Sequence, residues 1–193
     1  MFADFNRFQV PIDTSLDILY EHREVKANLV KAVVQRVEVF RCLTEMERGT
    51  LLTKSEKLFT LSSISHATLS LLVNYAGVDM EKQVELAADF WNIISGLMAE
   101  WELVLRGRVT AAKVRQDYVH CHGLVLSSLA TIGADLLEFY PDNWRECLGG
   151  LQEVDWSFSN PDWQGHILCK GGVSKSKVNA GWMRDYLIGY LVL

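Results

Sequence analysis

Lys170-Gly171-Gly172-Val173-Ser174-Lys175-Ser176-Lys177 is the stretch of this chain best suited to holding an anion. Backbone N–H groups among Gly and Ser, two hydroxyls and three ammonium groups are the donors a phosphate oxygen takes. A nucleotide-binding phosphate loop would need Gly where Cys169 and Ser174 stand, and a strand before it; neither is found in the sequence. What remains is a looser anion site for a DNA phosphate, or else a solvated loop. No acid occurs between Asp162 and Asp185, so the segment is cationic along its whole length. A second acid-free window lies between Glu102 and Asp117 and carries Arg106, Arg108, Lys113 and Arg115.

Other reactive types are present without the spacing that chemistry needs. His120, Cys121 and His122, with His166 and Cys169 farther on, are metal-capable. Neighbours on a regular helix diverge by about 100°, so the first three cannot close on one ion from a helix. A buried Cys with His on a polar face is the better reading, and no metal or cofactor is expected. Ser62, His66 and Ser70 recur every fourth residue, as a hydroxyl activated by an imidazole would. No strained turn or third member orients that His, so small residues permitting close helix packing explain the stripe better. No acid/base pair stands out among the 24 carboxylates, and no catalytic residue is expected.

The 193 residues are 49% hydrophobic and 22% charged with three Pro, a globular composition. Net charge is -5, so no overall cationic field draws the chain to nucleic acid; only the two local windows could. Four widely spaced cysteines suggest reduced thiols and a cytoplasmic setting. MFADFNRFQV has neither the charge nor the apolar run of a signal peptide, and LIGYLVL is too short to span a bilayer.

The elements that must carry these residues are helical nearly throughout. Thr14 or Ser15 caps a short helix through Tyr20, and Glu24 to Val37 reads as another. Leu58, Leu61, Ile64, Thr68, Leu71, Leu72 and Tyr75 share one arc of a helix from Ser55 to about Tyr75. Met80, Val84, Ala87, Trp91, Ile94, Met98, Trp101 and Leu105 form a heptad stripe that predicts lengthwise packing. Its expected partner is Tyr118, Cys121, Val125, Ser128, Ile132, Leu136 and Phe139, where Gly123, Ser127 and Ala130 permit close approach. Pro141 stops that helix, a short one follows over about Asn143 to Glu153, and Ser174 or Ser176 caps a last one. The fold class is mainly α: a single multi-helix domain, residues 1–193, with an extended basic Gly/Ser/Lys loop near the C-terminus.

Several blocks, in order, resemble the DndB family, DNA sulfur modification proteins of phosphorothioation gene clusters. They are FADFNR, LDILYEHRE, TLLTKSEKLFTLSSISHAT, DYVHCHGLVLSSLATIG and, above all, VDWSFSNPDWQGHILCKGGVSKSK. Proteins of that family resemble a ParB-related domain with an Asp-Gly-Gln-His-Arg motif, followed by a helical half that begins near a Phe-x-Asp-x-Asn segment. This chain starts at such a segment and lacks the motif, so it resembles the C-terminal helical half. The family pattern Lys-Ser-Arg-Lys-Leu-Phe is here interrupted by Glu56, which weakens a phosphate contact by Lys54 and Lys57.

The resemblance implies a non-enzymatic, cytoplasmic regulator that binds promoter DNA of its own gene cluster. The assignment of contacts rests on the residues themselves: Lys170, Ser174, Lys175, Ser176 and Lys177 in the loop, and Arg106, Arg108, Lys113 and Arg115 in the second window. The rival expectation is a structural module for self-association, as a homo-oligomer, or for docking the ParB-like half. It would touch no DNA and no membrane.

Overall fold

The computed structural model describes residues 14–169, 172–173 and 176–192, and the architecture is mainly α. Thr14–Arg36 is one helix, α1, where two were expected. No Gly or Pro separates Tyr20 from Glu24, so nothing interrupts helical propagation. A short α2, Glu38–Leu43, runs into strand β1, Thr44–Glu45. It pairs in parallel with β2, Phe59–Thr60, in the register Thr44 to Phe59 and Glu45 to Thr60. Residues 46–58 thus leave and return at the same place.

Helix α3, Leu61–Leu71, starts six residues later than the periodicity suggests. Thr60 Oγ1 accepts from Ser63 N at 3.2 Å and caps it, so Ser55 and Leu58 belong to the preceding loop. Helix α4, Met80–Leu97, is capped by Asp79, whose carboxylate accepts from Glu81 N. The heptad stripe continues past it, but the helix does not. Met98 leaves helical geometry (φ -109°, ψ 83°), and α5, Ala99–Leu105, resumes at a new angle. Val84, Ala87, Trp91, Ile94, Met98 and Trp101 are buried as the stripe predicts, while Met80 is exposed.

After α6, Ala111–Asp117, the second stripe is interrupted as well. Tyr118 is extended and bridges Ser157, Val119–Cys121 form a 3-10 turn, and α7 spans Gly123–Phe139. The two stripes do not pack on one another lengthwise. Helix α4 lies along α1, tied by the Arg36–Glu81 ion pair, whereas α7 lies along α3. Between α4 and α7 the approach is local: a Cβ on Gly133 would stand 2.4 Å from the Phe90 ring and 2.7 Å from Leu71. Both stripes are simply apolar, and apolar periodicity does not name its partner.

Trp144–Cys147 (α8), a 3-10 turn over Leu148–Glu153 and a loop lead to the short antiparallel pair β3, Leu168–Cys169, and β4, Gly172–Val173. Ser176 Oγ accepts from Asn179 N and caps the last helix, α9, Lys177–Ile188. It packs on the other side of α7, where Ser128 Oγ donates to Leu124 O and lies 3.3 Å from Ala180 O. The core runs between these layers through Phe40, Phe59, Trp91 and Trp101, with ring centroids 4.9–5.4 Å apart. The one polar atom of Trp91 is satisfied there, Nε1 donating to the buried Thr68 Oγ1 at 3.1 Å.

Candidate nucleic-acid interface

The window from Leu103 to Gln116 forms the end of α5, a turn, and α6. Gly107 adopts φ +65°, which lets the chain reverse tightly after α5. Thr110 Oγ1 then accepts from Lys113 N and starts α6. This turn faces residues 54–57 across a cleft of about 570 Å³, so Lys54 and Lys57, with Glu56 between them, come beside the basic window across about fifty positions of sequence. Lys57 Nζ donates to Cys42 O at 2.7 Å, whereas Lys54 and Arg108 have no side-chain partner among the described residues. Arg106 is paired with Glu102 at 2.5 Å and Lys113 with Asp117 at 3.0 Å, each four residues apart on its own helix. Such exposed pairs are worth under about 1 kcal/mol, so a phosphate can compete for either cation.

Arg115 has a different task. Its guanidinium donates to Leu52 O (3.0 Å), Thr53 O (2.9 Å), Ser55 O (3.0 Å) and Lys57 O, four carbonyls of the loop that closes on β2. Those carbonyls have no sheet or helix to satisfy them, and a forked cation is the one side chain that reaches several at once. Arg115, expected as a DNA contact, has its donors engaged with the backbone of the loop that carries Lys54. On the other side of this loop lies a second cleft, of about 510 Å³, lined by Thr60, Ser62, Ser63, Gln116 and Gly123.

Beneath the window is a closed polar network. His120 is fully buried, accepts at Nδ1 from Trp101 Nε1 (3.0 Å), and faces Glu100 Oε2 through Nε2 (3.1 Å). That assigns the proton to Nε2, which donates to the carboxylate. Burial lowers the His120 pKa below the ordinary value, more than Glu100 raises it. The His120 hydrogen bond in turn lowers the Glu100 pKa. Cys121 Sγ lies 3.3 Å from Nδ1, but burial pushes its pKa far upward, so it is a thiol at neutral pH. Among the described residues no group of three His, Cys, Asp or Glu is placed to hold a metal ion.

The Ser62, His66, Ser70 stripe is not a packing seam. Ser62 and His66 are exposed, Ser62 Oγ lies 3.0 Å from Thr60 Oγ1, and Ser70 Oγ donates to the backbone carbonyl of His66. The close approach of α3 to α7 is made instead by Ser63, whose Cβ stands 3.2 Å from where a Cβ on Gly123 would be. In the C-terminal loop, Lys170, Ser174 and Lys175 lie outside the described residues. Ser176 is exposed at the α9 cap, and Lys177 is the first residue of that helix.

No local signal in the sequence showed that Lys54 would face the turn at Gly107 and Val109 across one cleft. Sequence reasoning also missed a surface row of rings on α9, for which the spacing of Trp182, Tyr186 and Tyr190 was a signal.

No helix among the described residues is long and apolar enough to cross a membrane. No curated protein and no solved structure matches the chain. The family model DndB, described as DNA-sulfur modification-associated, matches residues 1–193, the extent that the quoted blocks span almost completely. The chain belongs to the DndB family of DNA-sulfur modification-associated proteins.

Proposed function

We propose that the chain serves DNA sulfur modification as a cytoplasmic, DNA-contacting regulator that acts at the promoter of its own gene cluster and performs no chemistry itself. The observation that carries this reading is the meeting of Lys54 and the Arg108 turn across one cleft, with both side chains unpaired among the described residues. With a net charge of -5, attraction to DNA must come from such local groupings. Arg106 and Lys113 flank the same turn, and the lysines of 170–177 are a second contact. The buried thiol of Cys121 and the enclosed imidazole of His120 are poor tools for catalysis.

A salt series of duplex binding tests the reading. Each neutralised phosphate adds about 0.9 to the magnitude of the log–log salt slope. Lys54→Ala with Arg108→Ala flattens the slope by roughly two units and weakens promoter and random DNA alike, as expected for positioning contacts. Lys175→Ala with Lys177→Ala does the same if the loop is the second contact. Unchanged slopes in folded variants remove these residues from the interface.

A second reading, a module for self-association or for docking the ParB-like half, is favoured by one observation. Phe139 is 67% exposed at the end of α7, beside an apolar groove formed with Leu136, Ile188 and Leu191.

A further inference from the structure

Away from the cationic cleft, α9 carries a row of rings at the surface. His166 lies flat on Trp182, with centroids 4.2 Å apart and planes 5° apart. Trp182 stacks on Tyr186 at 5.1 Å and 23°, and Tyr186 meets Tyr190 at 5.4 Å. His166 is exposed and the other three are half-buried.

The row is held from beneath. Trp163 is fully buried, edge-on to Tyr186 at 4.9 Å and to Trp182 at 6.2 Å, with Nε1 donating to Ser157 O at 2.9 Å. Asn160 builds the loop that carries Trp163: its amide donates to Asp155 O and its carbonyl accepts from Asp162 N, both within 3.0 Å. Gly165, at φ +75°, turns the chain so that His166 comes back over Trp182. An ordered scaffold thus presents stacked rings to solvent.

Pro161, Asp162, Gln164, His166, Trp182 and Tyr186 bound a cleft of about 390 Å³, room for one heterocycle and its sugar. The Tyr186 hydroxyl donates to Asp162 Oδ2 at 2.9 Å, and burial foremost raises its pKa, so it remains a donor that fixes the carboxylate. The exposed Gln164 amide and the remaining Asp162 oxygen are hydrogen-bonding groups at the rim of a π surface. The His166 imidazole occupies the face of Trp182 it lies on, and His166, itself exposed, is the ring at the solvent end of the stack. Asp162 is the one carboxylate among the residues that bound this cleft, and its Oδ2 is engaged by the Tyr186 hydroxyl.

We propose that the His166–Trp182–Tyr186 stack, with Asp162 and Gln164 at its rim, is a stacking site for an unpaired nucleobase. This rests on the reading that the chain contacts DNA and adds what it contacts: a base outside the duplex stack.

The test measures anisotropy of three labelled probes at one ionic strength: a thymine single strand, an abasic strand of equal length, and a duplex. The abasic strand keeps sugar and phosphate, so it isolates the base. The wild-type chain binds the thymine strand about tenfold tighter or more than the abasic one. Trp182→Ala removes that preference and leaves duplex affinity and its salt slope unchanged, and Trp182→Phe restores most of the preference. Should Trp182→Ala unfold, His166→Ala removes an exposed ring without opening the core, and it lowers the preference severalfold. Equal binding of the two single strands by the wild type, no binding of either, or a preference that survives the ring deletions overturns the proposal. Loss of duplex binding in Lys54→Ala with Arg108→Ala tests the cationic cleft separately, so the two readings can fail independently.

Discussion

His120 concentrates the effect of burial at a single residue. Its imidazole is neutral because the enclosing core disfavours the cation more strongly than Glu100 favours it. The unfolded chain takes up a proton on this side chain below about pH 6.5, and the folded chain does so only at lower pH. Stability is therefore full above about pH 6.5 and declines as pH falls toward the folded pKa. Glu100, whose pKa is lowered by the same hydrogen bond, extends the loss below about pH 4.5. The urea midpoint of the wild type is expected to drop between pH 7 and pH 5, and His120→Gln to flatten that drop. A wild-type midpoint that stays level over this range would contradict the neutral assignment. Cys121, beside it, was legible in sequence as a buried cysteine, but its neighbour His120 was not legible as core, because polarity alone places a His outside.

At the scale of elements, two junctions shape the candidate interface. The break at Met98 places α5 so that Glu100 and Trp101 address opposite nitrogens of His120. The loop of residues 46–58 is closed at its base by β1 and β2 and gripped near its middle by Arg115. Arg115→Ala leaves four loop carbonyls without that donor, and a loss of roughly 2–3 kcal/mol is expected. Urea unfolding gives the magnitude; amide exchange gives the place, rising across 50–58 while α4 keeps its protection. Uniform exchange through both regions would show that Arg115 does not act on the loop. The heptad stripes announced buried faces on α4 and α7 and were right about most residues. They did not announce the two breaks, because Tyr118 and Met98 are apolar enough to continue the pattern while their backbones leave it.

For the whole molecule, the question is what covers the exposed end of α7. Phe139 and the groove it shares with α9 offer an apolar contact at a point remote in chemistry from the cationic cleft. If copies of the chain associate through this end, sedimentation at rising concentration shows a species above 21.9 kDa, and Phe139→Asp returns it to the monomer. The same substitution leaves the salt slope of DNA binding unchanged. A species that persists in Phe139→Asp places the association elsewhere. Comparing the two measurements separates the regulator reading from the docking reading without requiring either to be exclusive.

By itself, the sequence determined the helical class, most buried faces, the Asp79 cap, and the family, since these depend on short-range periodicity, capping chemistry and ordered blocks of residues. Within the most family-specific block, VDWSFSNPDWQGHILCKGGVSKSK, Asn160 and Trp163 have structural tasks: Asn160 closes the loop and Trp163 anchors it. Tertiary structure alone decided which faces meet, because an apolar stripe records that it is buried and not against what. It also decided the fate of each cation. Arg115 and Arg108 look alike in one acid-free window, yet Arg115 meets carbonyls 58–63 positions away while Arg108 meets no described side-chain partner. A charge's role depends on the polar groups the fold delivers to it, and those come from distant parts of the chain.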